Sequence, residues 1–180
     1  MPIADKVAAA HKISDLLKQL IAAGNFTLKY RITVEPQFTD DRQSWEKPDI
    51  LVEFAGPDSA LVLERGAELL RSFELLSQEM LRLGPEEHEL VSFDCRNFRA
   101  TRLRELKTSA EVAAERVRKS GMPYEFGPMS SRERRILHLA LRDQADLRTE
   151  SAGVGAERGV VVYPKDYKPH VNPRPMVRRR

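Results

Sequence analysis

The sequence has little of what covalent or metal cross-links require: one cysteine and four histidines among 180 residues. The lone Cys95 excludes an internal disulfide, and so few thiol and imidazole ligands make a structural zinc site improbable. A helix that crosses a bilayer needs about 20 mainly apolar residues, and no run in this sequence approaches that length. We therefore expect a cytoplasmic protein without an integral membrane segment, a metal or a cofactor.

Positive charge is scarce in the first half of the chain and abundant in the second. Residues 1–98 have a net charge of −6, residues 99–163 of +4 and residues 164–180 of +5, counting Lys and Arg against Asp and Glu. A polyanion would be attracted to the C-terminal half. Basic charge alone is weak evidence for nucleic-acid binding, because many soluble proteins have a solvated basic surface.

Hydrophobic periodicity predicts a mixed first half with the order α-β-β-α-α-β. The predicted elements are a helix from Ile3 to Ala23, strands Phe26–Val34 and Asp49–Phe54, a short helix Ser59–Leu63, a longer helix from Leu69 to Leu83, and a strand Glu89–Cys95. The interruption near Gly66 separates the two adjacent helices, since glycine readily leaves the helical conformation. This half is expected to form a domain of its own.

The sequence of the second half predicts a small sheet packed by helices. Its predicted elements are a helix Phe98–Lys119, a strand Pro123–Phe126, a helix Ser130–Gln144, and a hairpin of Leu147–Ser151 with Gly159–Tyr163. Ser130 and Glu133 have the spacing of a capping box at the start of the second helix. Four prolines and three terminal arginines indicate a disordered basic tail over 164–180.

The helix from Ser130 to Gln144 divides into an apolar face and a basic face. At 100° per residue, the apolar side chains from Ile136 to Leu141 fall together. The opposite arc, which we call the basic face, consists of Arg134, Arg135, His138 and Arg142. Arg134 and His138, four residues apart, lie one turn from each other. Guanidinium groups bind phosphate in a bidentate manner and stack on unpaired bases, so this face is a candidate phosphate-binding surface. A solvated basic face with no ligand is the alternative interpretation.

The run from Glu133 to Leu141, with Arg134 and His138 separated by three residues, resembles the R-3-H domain, which is named for that pair. The flanks agree, with Arg148 to Ser151 leading into a Gly-rich hairpin. The resemblance implies single-stranded nucleic-acid binding, and extends to the bacterial Jag/KhpB proteins, which carry a KH domain directly upstream. The order α-β-β-α-α-β is similar to a type II KH domain.

The residues aligned with the KH signature depart from it. That family clamps the nucleic-acid backbone with a Gly-x-x-Gly loop between two helices, and the aligned residues here are Leu63, Glu64, Arg65 and Gly66. Leu63 adds a side chain where a phosphate should approach the backbone, and Glu64 adds a negative charge. We therefore expect a KH module that binds nucleic acid weakly or serves as a scaffold.

These observations predict an α+β protein of three parts: a degenerate KH-like domain (1–96), an R-3-H domain (97–163) and the basic tail (164–180). Its expected function is non-enzymatic binding of single-stranded RNA, or of single-stranded DNA, in post-transcriptional regulation. Arg134 and His138 would grip phosphate, Arg135 and Arg142 would add positive charge, and Arg99 and Arg102 would extend the track. The alternatives are a protein-interaction scaffold and a membrane-associated partner of the insertase machinery; the resemblance also implies another KH protein as a partner.

Overall fold

A computed structural model describes residues 3–38, 45–84 and 86–168 of the chain. The chain separates into two compact units, and the division falls between Glu105 and Leu106. This point lies inside a helix rather than in a linker, nine residues beyond the boundary predicted from the sequence.

The first unit has the predicted order of elements. It contains α1 (Lys6–Ala23), β1 (Lys29–Val34), β2 (Ile50–Ala55), α2 (Ser59–Met80), β3 (Val91–Cys95) and the first residues of α3 (Phe98–Ser120). Two helical pieces make up α2, joined across non-helical residues from Glu64 to Ala67, so the order is α-β-β-α-α-β. Kinship of this unit with KH domains stays a prediction.

The sheet of the first unit has the order β1-β2-β3, with β1 antiparallel to β2 and β2 parallel to β3. Parallel strands need a long crossover connection, and α2 supplies it. The buried side of the sheet and the helices form one hydrophobic core. Its fully buried members include Ile13, Leu17, Ile50, Val52, Val62, Val91 and Phe93. Cys95 is buried at the end of β3, as a small apolar group would be.

The second unit contains the rest of α3, β4 (Tyr124–Glu125), α4 (Ser131–Leu141), β5 (Leu147–Ala152) and β6 (Gly159–Pro164). Its antiparallel sheet has the order β4-β6-β5, which confirms the predicted hairpin. Strand register places Thr149 opposite Val162 and Ser151 opposite Val160. Both valines are fully buried, so this side of the sheet faces the core and brings two hydroxyl side chains to its border.

The basic tail begins later than the sequence predicts. Pro164 is the last residue of β6, and the backbone N–H of Lys165 donates to the Asp146 carbonyl at 2.9 Å. The Tyr167 ring packs on the Tyr163 ring with their centroids 5.7 Å apart. Residues 164–168 are therefore folded, and the rest of the predicted disordered tail, 169–180, lies outside the described residues.

Burial of Leu137 anchors α4, and this can be measured. Its side chain is fully buried, so Leu137→Ala should lower the free energy of unfolding by about 2–5 kcal/mol. The control is Val112→Ala on α3, where the side chain is 61% exposed and the change should stay within about 0.5 kcal/mol. Urea unfolding followed by circular dichroism gives both values. Equal effects of the two substitutions would contradict the packing of α4 described above.

Candidate nucleic-acid interface

Local interactions define where α4 begins and which face it buries. The Ser130 hydroxyl accepts from the Glu133 N–H at 3.3 Å, and the Glu133 carboxylate accepts from the Ser130 N–H at 2.9 Å, which confirms the capping box. The helix ends at Leu141, three residues before the predicted end. Its buried side chains are Ile136, Leu137 and Leu141. The predicted apolar face therefore faces the core, whereas the basic face is divided: Arg135 and Arg142 are exposed, and Arg134 and His138 are half-buried.

Arg134 is half-buried and held by neutral acceptors. Its Nη1 donates to the Met129 carbonyl at 2.9 Å, and its Nη2 donates to the Ser131 hydroxyl at 3.0 Å. Among the described residues, no carboxylate forms an ion pair with this guanidinium. Its positive charge is thus oriented by hydrogen bonds without being neutralised, as a phosphate-binding arginine requires.

The environment of His138 differs from the one predicted. The sequence predicts that it grips phosphate from the basic face, but the side chain is half-buried and both ring nitrogens have partners within the protein. Nδ1 lies 2.6 Å from Thr149 Oγ1, and Nε2 lies 3.0 Å from Ser151 Oγ. The ring therefore bridges α4 to β5 and offers no unoccupied nitrogen to a ligand. Both nitrogens have partners because β5 lies beside α4 and brings the Thr149 and Ser151 hydroxyls to the imidazole.

Thr149 and Ser151 were missed as candidate site residues. The available signal was their spacing: residues i and i+2 of a strand point to the same side of the sheet. A Thr-x-Ser pattern in a strand that follows the Arg-His helix could have indicated two hydroxyls beside the imidazole. Neither hydroxyl, however, identifies His138 as its partner before the register of α4 on β5 is known.

Burial, and then the positive charge of Arg134, lower the pKa of His138 below its ordinary value of 6.5. The imidazole is therefore neutral at pH 7, with one nitrogen donating and the other accepting. The pKa of His138 is lowered because the charged form is partly desolvated and lies one turn from an arginine.

Arg135 and Arg142, the other members of the basic face, are exposed. The Arg142 side chain is 70% exposed, and its Nε lies 3.5 Å from the Asp143 carboxylate. An ion pair at such exposure is worth about 0–1 kcal/mol, so it can be exchanged for contact with a phosphate. Both arginines fit the predicted role of adding positive charge.

Arg99 and Arg102 lie in the first unit and have different environments. The Arg99 guanidinium pairs with the Glu74 carboxylate and donates to the Phe93 carbonyl, and its side chain is only 12% exposed. Its charge is neutralised by Glu74 within the first unit. The expectation that Arg99 extends a phosphate track was therefore wrong. Arg102 is 39% exposed and lies 3.2 Å from the Glu105 carboxylate, which leaves it at the surface within an ion pair.

The residues aligned with the KH loop form the interruption of α2. Arg65, Gly66 and Ala67 have φ values of +49°, +67° and +65°, a left-handed conformation that is unfavourable for residues with a Cβ. Ala67 is fully buried and Leu63 packs against the core, and these contacts stabilise the turn. Glu64, Arg65 and Gly66 are exposed. The negative Glu64 thus lies at the surface of the turn, and its effect on nucleic-acid binding stays a prediction.

Neither a metal-binding cluster nor a membrane-spanning helix is found among the described residues. Across residues 3–38, 45–84 and 86–168, no three His, Cys, Asp or Glu side chains are grouped so that they could hold a metal ion. Within the same ranges, no helix combines the length and the apolar character needed to cross a membrane.

Comparison with known proteins finds similarity in the second unit and in part of the first. Residues 104–164 match the family model of the R-3-H domain. The chain is 30% identical over 118 residues to the RNA-binding protein KhpB of Bacillus subtilis (strain 168), an alignment that covers 64% of this chain and 57% of that protein. It is 26% identical over 151 residues to the RNA-binding protein KhpB of Clostridium symbiosum, covering 84% and 64%. The chain thus spans about three fifths of the length of these relatives.

The effect of Arg134 on His138 can be tested by NMR titration of the imidazole. Arg134→Gln should raise the pKa of His138, because it removes the nearby positive charge, but the pKa should stay below its ordinary value, since burial is the larger cause. Arg142→Gln is the control for loss of one charge four residues from His138, and it should shift the pKa less, because the Arg142 side chain is 70% exposed and pairs with Asp143. The same pKa in the parent protein and in Arg134→Gln would contradict the proximity of the two side chains.

Proposed function

Because the chain contains an R-3-H domain and is homologous to the KhpB proteins, we propose that it binds single-stranded RNA through the basic face of α4. Arg134 contacts phosphate directly, and Arg135 and Arg142 add positive charge at the same surface. The observation that carries the proposal is the half-buried Arg134 guanidinium, which is held by a carbonyl and a hydroxyl and pairs with no carboxylate of the described residues. The phosphate backbone supplies much of the affinity of such complexes.

The relatives support RNA as the ligand, since both are named RNA-binding proteins. The charge distribution agrees, because the positive charge of the chain is concentrated after residue 98. Single-stranded DNA carries the same phosphates, so the choice of RNA rests on the relatives and not on the geometry.

The proposed function includes no chemical step. The contact between Ser151 Oγ and His138 Nε2 has the length of a nucleophile–base hydrogen bond, but the other ring nitrogen meets the Thr149 hydroxyl instead of a carboxylate. In a Ser-His-Asp triad, a carboxylate stabilises the imidazolium that forms after proton transfer from the serine. Here burial and Arg134 destabilise that cation, which favours a binding role over a catalytic one.

The remaining proposals concern the protein beyond its second unit. We propose that the first unit is a KH-like module weakened by Glu64, on the basis of its element order and its interrupted α2. We also propose a cytoplasmic location, on the basis of the cysteine content and the lack of long apolar runs, and a second KH protein as partner, on the basis of the resemblance to the Jag/KhpB proteins.

Salt dependence tests the phosphate contacts. If three to five phosphates are neutralised, the logarithm of the association constant for a short single-stranded RNA should fall against the logarithm of salt concentration with a slope of roughly −2 to −3.5. Arg134→Ala should weaken binding and make this slope shallower by about 0.7. Fluorescence anisotropy at several salt concentrations measures both quantities.

Lys119→Ala is the matched control for loss of one positive charge, since Lys119 is 79% exposed near the end of α3 and pairs with Glu115. It should leave the slope close to that of the parent. If Arg134→Ala binds like the parent at every salt concentration, the assignment of the interface to α4 is wrong.

The first unit is tested by a charge reversal at the interruption of α2. Glu64→Lys should strengthen RNA binding if this exposed turn approaches the phosphate backbone, because it replaces repulsion with attraction. Glu79→Lys, at an exposed position near the end of α2, changes the net charge equally and should have a smaller effect. An equal gain from both variants would reduce the result to net charge and contradict a specific role of the turn.

A further inference from the structure

The two hydroxyls that flank His138 can each donate a hydrogen bond to a ligand, which the imidazole cannot do. Both ring nitrogens are already engaged, at 2.6 Å from Thr149 Oγ1 and 3.0 Å from Ser151 Oγ. A hydroxyl that accepts a hydrogen bond from the ring keeps its own O–H available as a donor to another partner. Thr149 and Ser151 are both partly exposed, so such a donor can reach a ligand on the basic face.

We propose that the Thr149 and Ser151 hydroxyls contact a phosphate oxygen of the bound strand, and that His138 is the positioning residue that directs their hydrogens outward. This inference rests on the proposed function and deepens it, since it assigns the ligand contacts to β5 as well as to α4. It also changes the role of His138, which acts through the hydroxyls and does not touch the phosphate.

The number of available donors depends on the protonation state of His138. A neutral imidazole donates to one hydroxyl and accepts from the other, so only one of the two O–H groups remains for a ligand. An imidazolium donates to both, and both hydroxyls then present their hydrogens outward. A phosphodiester oxygen is only an acceptor, so it prefers the second arrangement. Binding of phosphate is therefore coupled to uptake of one proton by His138.

The charges around the ring depend on three elements. On α4 they are Arg134, Arg135 and Arg142 of the basic face, and Arg134 opposes protonation of His138 by lowering its pKa. On β5, Arg148 and Glu150 alternate to the opposite side of the strand, where Arg148 pairs with Glu150 and lies over the Tyr163 ring. Strand β6 has no Asp, Glu, Lys, Arg or His between Gly159 and Pro164. A bound phosphate would offset the charge of Arg134 and thereby favour the imidazolium.

The experiment measures binding of a short uridine oligomer, whose bases do not titrate in the range used, between about pH 8 and about pH 5.5. The affinity of the parent chain should rise as the pH falls, by at most about tenfold per pH unit in the window between the pKa values of free and bound His138. Thr149→Val and Ser151→Ala should each weaken binding by about tenfold. The double variant should lose the part of the pH dependence that belongs to His138.

Conservative variants separate a ligand contact from a structural role. Thr149→Ser and Ser151→Thr keep the hydroxyls and should bind like the parent. Thr108→Val and Ser109→Ala remove exposed hydroxyls from α3 and should change nothing. NMR of the imidazole nitrogens should show that the uridine oligomer raises the pKa of His138 in the parent, and that it does so less in the double variant.

The results distinguish this inference from the function on which it rests. If the double variant binds with the affinity and pH dependence of the parent while Arg134→Ala loses binding, the hydroxyl contacts are wrong and the proposed function stands. If the parent chain does not bind the uridine oligomer or other single-stranded RNA at low salt, the proposed function fails and the hydroxyl assignment fails with it. An unchanged pKa of His138 on binding would overturn the coupling to a proton.

Discussion

The imidazole of His138 ties α4 to β5, and the arrangement of the basic face depends on this contact. The apolar side chains Ile136 and Leu137 hold the helix against the core, but hydrophobic packing is not directional. The hydrogen bonds that join the two ring nitrogens of His138 to the Thr149 and Ser151 hydroxyls supply the direction. They fix the helix along the strand, and Arg134 is positioned with it, one turn earlier. The capping box at Ser130 then fixes where the helix begins.

Arg99 in the first unit and Arg134 in the second have different partners. In the first unit, cations are paired with carboxylates: Arg99 with Glu74, Arg31 with Glu53, and Lys6 with Asp49. The Arg99–Glu74 pair is largely buried. Removing one partner of such a pair strongly destabilises a protein, because the other charge is left buried and unpaired. In the second unit, by contrast, the half-buried Arg134 is held by a carbonyl and a hydroxyl. Arg134 thus keeps a charge that a ligand can use, whereas the charge of Arg99 is neutralised by Glu74.

Sequence patterns with a local physical cause predicted the structure well. The capping box, the apolar face of α4 and the interruption of α2 near Gly66 each depend on residues a few positions apart, and each was found where expected. Burial of Arg99 could not be predicted, because its partner Glu74 is 25 residues away and nothing in the local sequence indicates that contact. The same holds for His138: its helical position was clear, but its partners on β5 depend on tertiary packing. The start of the tail was misplaced because Tyr167 packs on Tyr163, a contact that composition does not reveal.

The four-residue spacing of Arg134 and His138 couples the charge of the arginine to the protonation of the imidazole. In the unliganded protein, the arginine charge helps to keep the imidazole neutral, and a neutral imidazole satisfies the two hydroxyls with one donor and one acceptor. An anion that binds to Arg134 weakens this electrostatic effect, since opposite charges cancel at short range. The same event that occupies the guanidinium therefore makes the histidine easier to protonate and its hydroxyl partners better donors. Two side chains four residues apart can in this way respond to a phosphate as one unit, although only one of them touches it.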